Sequence, residues 1–263
     1  MSDVTGYLGR TFHVGRYLRA VQLAAQKQGF VVEHSYGAGE YPILALTRFC
    51  GTPRANLYLS TGVHGDEPAG PLAILRMLRR GALPSDMTLT ILPLVNPRGM
   101  ALVKRETPEG VDINRDYRRL ASAEAAAHVH WLSERPRRHD LCLLLHEDWE
   151  ATGYYLYELN PDREESIAPE ILAAVRPVIG VDDSPLIDGH PATRGLIRPQ
   201  DSGIRLPENV YPEARFLLEG WTRHSYTLEA PSNVPLLRRI RAHEAAITAA
   251  AEAVRNHGHW FEI

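Results

Sequence analysis

The sequence predicts an α/β domain with a largely parallel or mixed sheet between two helix layers, and three observations carry that expectation. Apolar segments of strand character alternate with segments of helical period along the chain. Residues 141–145, Leu-Cys-Leu-Leu-Leu, form an unbroken apolar run of the kind expected of a central strand covered on both faces. No internal repeat or low-complexity linker divides the 263 residues, and 44% hydrophobic content suffices for one large core, so a single domain over 1–263 is expected.

The elements follow in order. Residues 12–28 carry Val14, Tyr17, Leu18, Val21, Ala24 and Ala25 at helical spacing, and Gly29 closes the segment. Residues 30–36 and 41–49 read as two strands joined by a hairpin at Gly37-Ala-Gly39. A strand at 57–63 ends in a turn containing Gly62 and Gly65, and 70–80 follows as a helix with Pro71 near its first turn. Residues 87–95 form a strand that runs into Asn96-Pro-Arg-Gly99, a strong turn signal. The alanine-rich segment 120–135 is a helix stopped by Pro136. On it His128 and His130, two residues apart, face different ways and make a poor metal pair.

After the strand at 141–145 come a strand at 154–159 and a modest helix at 165–175. From Asp182 to Pro212, Pro185, Pro191, Pro199, Pro207 and Pro212 with few apolar runs predict a long ordered loop, the kind that covers a site. The last elements are a strand at 225–230 and a helix over 234–256. That helix turns Leu237, Ile240, Ala245, Ile247, Ala251 and Val254 inward, and Arg238, Arg239 and Arg241 toward water. His257 and His259 fall beyond it as surface residues.

Composition narrows the partners. A net charge of −3 provides no basic field for nucleic acid or an anionic membrane, which leaves small molecules or peptides. Two cysteines, Cys50 and Cys142, lie in apolar surroundings and read as buried free thiols. The first residues show no export signature, and no apolar run approaches the roughly 18 residues that span a bilayer. A soluble, cytoplasmic protein is expected.

Three strands end in polar residues that a core does not need: His64 with Glu67, His146, and Glu229 in Tyr-Thr-Leu-Glu-Ala-Pro-Ser. In an open α/β sheet such ends collect on one edge, where ligands bind. Two histidines and a glutamate are the three protein ligands of a catalytic zinc (Zn2+), with the fourth position left for water. Glu229 is spare, and a spare carboxylate beside such a water is a general base. Arg105 and the pair Asn114-Arg115 stand in nearby loops, where a guanidinium can grip a carboxylate or stabilise an oxyanion. Glu147, Asp148 and Glu150 read most simply as a solvated acidic turn. The alternatives are a preference for a basic substrate or support of a ligand from behind.

In these residues, over about 57–232, the chain resembles the zinc carboxypeptidase superfamily, typified by carboxypeptidase A and including the succinylglutamate desuccinylase and aspartoacylase branch. The resemblance implies that His64, Glu67 and His146 hold zinc and that Glu229 is the catalytic glutamate. It further implies that Asn114 and Arg115 bind a substrate carboxylate and that Arg105 polarises the carbonyl. His-Gly-Asp-Glu is most similar to the small bacterial members that trim peptidoglycan-type peptides. A three-layer α/β/α fold with a central mixed sheet of about eight strands is implied as well.

The expected reaction is therefore hydrolysis of the amide next to the C-terminal carboxylate of a small peptide. An N-acyl amino acid is the alternative substrate, and a catalytically silent binding protein the alternative of another class. The interval from Glu67 to His146 is shorter than in the large digestive enzymes, so their side-chain preferences do not transfer. For their mobile tyrosine the candidates Tyr211 and Tyr226 both fit poorly, and Tyr226 reads better as a core residue.

Overall fold

The computed structural model describes residues 7–8, 11–35, 41–135, 138–199 and 210–257. Strands β1 (Tyr7–Leu8) and β2 (Thr11–Phe12) pair with each other, and helix α1 (Val14–Lys27) follows. Next come β3 (Val31–Ser35), β4 (Ile43–Arg48), β5 (Asn56–Thr61), α2 (Ala69–Arg80), β6 (Thr88–Leu92) and the short α3 (Pro97–Leu102). A 3-10 turn at Ile113–Arg115 precedes α4 (Ala123–Ser133), β7 (Leu141–Asp148), β8 (Tyr155–Leu159) and α5 (Ala168–Ile179). Three short strands follow, β9 (Leu186–Ile187), β10 (His190–Thr193) and β11 (Leu196–Ile197), then α6 (Glu213–Leu218), β12 (Ser225–Pro231) and α7 (Leu236–Asn256).

Strands β3 to β12 form one mixed sheet in the order β3-β4-β6-β5-β7-β12-β8-β11-β10-β9. Its centre, β6-β5-β7-β12, is parallel. Alternate residues of these strands enter two separate cores. Leu57, Leu59, Leu141, Leu143 and Leu145 pack with α1, α2, α5 and α7, whereas Tyr58, Cys142 and Leu144 pack with α4 and α6. Because both faces are dry, the period-two pattern disappears and an unbroken apolar run results. The expected three layers are present. No helix among the described residues is long and apolar enough to cross a membrane.

Among the described residues the sheet has ten strands, against about eight expected. The added width lies in the segment read as a loop, where β9, β10 and β11 form a meander that joins β8 through parallel pairing of β11. Its turns are Asp188-Gly189 (φ 47° and 71°) and Arg194-Gly195 (φ 53° and 84°). Positive φ at both positions of a two-residue turn matches the twist of a hairpin, which explains the glycines. The end of the expected loop, 200–209, lies outside the described residues, as do Gly37-Ala-Gly39 and His259. Strands β3 and β4 are antiparallel, as a hairpin requires.

Several side chains depart from the expected pattern. Leu237 is exposed and not inward, while Arg239 is half-buried and not wet. His257 lies 3.1 Å from both Glu165 and Glu170, pinning the end of α7 to the start of α5. Cys142 is buried as expected, but Cys50 is only half-buried.

On β8 the fully buried Glu158 receives Tyr226 Oη at 2.7 Å and lies 2.9 Å from His224 Nε2 and 2.6 Å from Arg198 Nε. Burial alone would raise this carboxyl, but His224 and Tyr226 overcome it and hold Glu158 down at about 2. A folded-state value below the unfolded one, near 4.3, gives stability that is complete above that value and lost as pH falls toward the folded value. Glu158→Gln is expected to cost about 3 kcal/mol at pH 7. In chemical denaturation the difference from the wild type should shrink between pH of about 4.5 and 2.

Candidate active site

The carboxyl ends of the parallel strands meet on one edge of the sheet. Pairing of Thr61 with Leu145 brings β5 to its end one residue before β7 presents His146, and Glu229 on β12 pairs directly with His146. Residues paired in this way point to the same face. The turn after β5 then carries His64 and Glu67 over that edge. Gly62 (φ 63°) bends the chain, and its carbonyl accepts Asn96 N–H at 2.7 Å, tying this turn to the loop after β6. Asn96 caps α3 by accepting Gly99 N–H at 2.8 Å, and its amide donates to Arg105 O at 3.2 Å. The Asn96-Pro-Arg-Gly signal is thus a helix start that also holds the Arg105 backbone.

His64, Glu67 and His146 are all buried, and one donor atom from each lies within 4.8 Å of the others. Glu67 Oε1 is 2.5 Å from His64 Nδ1, and Oε2 is 3.1 Å from His146 Nδ1. The imidazole rings stand edge to face at 5.0 Å. Glu67 Oε2 is buried without a hydrogen bond of good geometry. Donors each about 2.1 Å from a shared zinc ion lie some 3–4 Å apart, and the separations here, from 2.5 Å to at most 4.8 Å, bracket that spacing, so the two imidazoles and the carboxylate suit a small dication. Burial opposes the charge on Glu67, yet His64 and His146 keep its carboxyl well below the usual carboxylate range. Burial likewise opposes the His64 imidazolium, but Glu67 and Asp112 raise His64 to about 9.

Asp112 is the site neighbour that the sequence pattern did not single out. Its Oδ1 is 3.3 Å from His64 Nε2, and its Oδ2 accepts Arg105 Nε at 3.1 Å. The available signal was an acid between Val111 and Ile113, two residues before Asn114. Arg105, half-buried, brings Nη1 to 3.3 Å from His64 Nδ1 and 3.8 Å from Glu67 Oε1. The 3-10 turn carries Asn114 and Arg115. Arg115 is exposed and donates to Asn114 O at 3.0 Å, while buried Asn114 accepts Glu213 N–H through Oδ1 at 3.0 Å. Glu213, also missed, is fully buried and accepts Tyr58 Oη at 2.8 Å and Ser60 Oγ at 2.9 Å. An acid at a helix start gave no hint of burial.

Glu229 is half-buried beside His146 and Glu67, and burial, with His146 pulling the other way and Glu67 adding to it, raises its carboxyl to about 8. His64, Glu67, His146, Glu229 and Arg105 thus gather at this one sheet edge, which the 3-10 turn carrying Asn114 and Arg115 adjoins through Asp112 and Glu213. Neither tyrosine is directed to it. Tyr226 Oη serves Glu158 and Ile167 N in the core, and Tyr211 Oη donates to Glu219. His128 is buried between Tyr58 and Tyr117 hydroxyls, each at 2.8 Å, while His130 is exposed near Glu134, so the two do face apart. The acidic turn is not uniformly solvated. Glu150 is exposed, Asp148 accepts Tyr155 Oη at 2.9 Å, and Glu147 is buried.

Residues 53–181 match the family model of the succinylglutamate desuccinylase/aspartoacylase catalytic domain. Among solved structures, a candidate metallopeptidase from Shewanella amazonensis SB2B is 26% identical, with a TM-score of 0.77 over 92% of this chain and 93% of that one. A metallo-carboxypeptidase from Burkholderia cenocepacia aligns at 16% identity and a TM-score of 0.69, over 94% of this chain and 70% of the other. Bovine thrombin-activatable fibrinolysis inhibitor, solved with a tick carboxypeptidase inhibitor, aligns at 14% identity and a TM-score of 0.67, over 93% and 97%. No curated protein matches the chain by sequence. The family-model match and the solved structures together support a zinc carboxypeptidase-like superfamily for this fold.

The turn that carries His64 leaves no room at Gly65, where a Cβ would fall 2.1–2.4 Å from backbone atoms of Gly99, Met100 and Lys104. Gly65→Ala is expected to destabilise by about 3 kcal/mol in thermal or denaturant unfolding. Gly51→Ala, at a position with nothing within 4 Å, should leave stability unchanged.

Proposed function

We propose that the protein is a zinc-dependent hydrolase that cleaves the amide bond next to a free carboxylate, with the C-terminus of a small peptide as its substrate. The observation that carries this reading is the buried His64, Glu67 and His146 donor set with Glu229 paired to His146 on the same face. His64, Glu67 and His146 would hold the ion through two imidazole Nδ1 atoms and a carboxylate. When bound there, zinc supplies Lewis acidity toward a carbonyl and lowers the pKa of a water.

The remaining chemistry belongs to the chain's own side chains. Glu229, raised to about 8, can accept a proton from the attacking water and return it to the departing amine, because its affinity for a proton lies near neutrality. Arg105 stands beside the donor set, kept charged by Asp112 and Glu67, and can stabilise negative charge that develops on the carbonyl oxygen. Arg115, exposed at the rim, can take the substrate carboxylate with Asn114, whose orientation is fixed by Glu213 N–H. Asp112 on His64 Nε2 orients that ring from behind.

One observation favours a second substrate. The match to the desuccinylase/aspartoacylase domain supports an N-acyl amino acid, which presents the same amide and carboxylate with a smaller acyl part. A binding protein without turnover has no use for Glu229, whose carboxyl is raised by burial, with Glu67 adding to it.

Assays of tripeptides against acetyl- and succinyl-amino acids separate the two substrates. Release of the C-terminal residue from tripeptides alone is the expected result. Glu229→Gln should retain zinc in metal analysis while kcat falls about 10²–10⁴-fold, and unchanged turnover would remove Glu229 from its role.

A further inference from the structure

Strand β7 places successive side chains on opposite faces of the sheet, so His146 points to the donor set and Glu147 to the opposite side, toward α2 and α7. Glu147 is buried there, and its two carboxylate oxygens have separate duties. Oε1 accepts the backbone N–H of Ala69 at 2.6 Å, and Oε2 contacts Arg239 Nη1 from α7. Ala69 is the first residue of α2, and the residue at the cap position is Pro68, which makes no side-chain capping bond. A free helix N-terminus attracts a carboxylate through its unpaired N–H groups and its dipole. Here a neighbouring strand supplies that carboxylate.

The consequence is a closed ring. Glu67 is two residues before Ala69, and His146 is directly before Glu147, so the Ala69–Glu147 hydrogen bond closes a short covalent path between two donors that face each other at 3.1 Å. Resting on the metal-site reading above, we infer that Glu147 is a positioning residue that fixes Glu67 and His146 relative to each other by capping α2, with Arg239 holding its second oxygen. The substrate does not touch it. Its effect is on the distance between two ligands, and ligand placement within a fraction of an ångström determines affinity for an ion with short, directional bonds.

The test is zinc affinity of the full chain, measured by competition with a chromophoric chelator, with thermal unfolding of the metal-free protein recorded in parallel. Glu147→Ala is expected to weaken zinc binding 10–100-fold. Glu147→Gln keeps an acceptor for Ala69 N–H and should recover affinity to within about threefold of the wild type. Glu158→Gln, which destabilises the fold away from the donors, should leave zinc affinity unchanged. Wild-type affinity in Glu147→Ala, or an equal loss in the alanine and glutamine variants, overturns the inference. If the alanine variant does not fold, Arg239→Met carries the test, because it frees the carboxylate to turn, and an unchanged zinc affinity there also overturns it. A wild-type chain that binds no zinc, like a His146→Ala control, overturns the metal reading itself and the positioning role with it.

Discussion

The parallel register of β5, β7 and β12 is the constraint on which the site depends. The Thr61–Leu145 and Glu229–His146 pairs bring three chain ends to one level while each strand behind them is dry on both faces. A buried carboxylate or imidazole inside those layers would lose its hydration without a partner, which costs several kcal/mol. At the strand ends the polar groups become one another's partners. Glu67 has an imidazole on each oxygen, His64 has a carboxylate on each nitrogen, and Arg105 bridges to Asp112. Register alone would bring polar groups together, and it is the attraction of opposite charges 2.5–3.3 Å apart that offsets the cost of burying them together.

Two histidines in this protein show why partner charge, and not burial, distinguishes a site from a core. His64 and His128 are both buried. His128 sits between two neutral tyrosine hydroxyls, and burial lowers it to about 3. Burial acts on His64 in the same direction, but Glu67 and Asp112 outweigh it and raise it to about 9. A neutral imidazole between hydroxyls fills a core. An imidazole wedged between two carboxylates belongs to a cluster with excess negative charge, and such a cluster attracts a cation or retains protons.

How much of this could be read from the residues depends on whether the determinant was local. The strand ends at His64, His146 and Glu229 follow apolar runs, so their placement on one edge follows from topology, and the family resemblance joined them. Asn96-Pro-Arg-Gly announced a turn because proline and asparagine act locally. The meander β9–β11 escaped, although Asp188-Gly189 is a hairpin signal, because two-residue strands have no measurable period and the surrounding prolines argue for a loop. Glu147, Arg239 and Glu213 escaped for another reason. Their partners are Ala69, Glu147 and Tyr58, distant in sequence, and a buried charge paired across the fold looks in sequence like any surface charge.

The same distinction bears on Arg115 and Arg105. Both are arginines in loops, yet Arg105 is held by Asp112 and lies beside His64 and Glu67, whereas Arg115 bonds only its neighbour's carbonyl in the contacts described and is exposed. A guanidinium already neutralised by Asp112 has little left for a substrate's fixed charge, but it remains well placed for charge that appears only during reaction. An exposed guanidinium on a turn anchored through Asn114 has the opposite profile, suited to a permanent carboxylate. If the proposed hydrolysis holds, the environments of the two would divide the labour, since preorganisation by Asp112 favours a transient charge and an exposed guanidinium at Arg115 favours a lasting one.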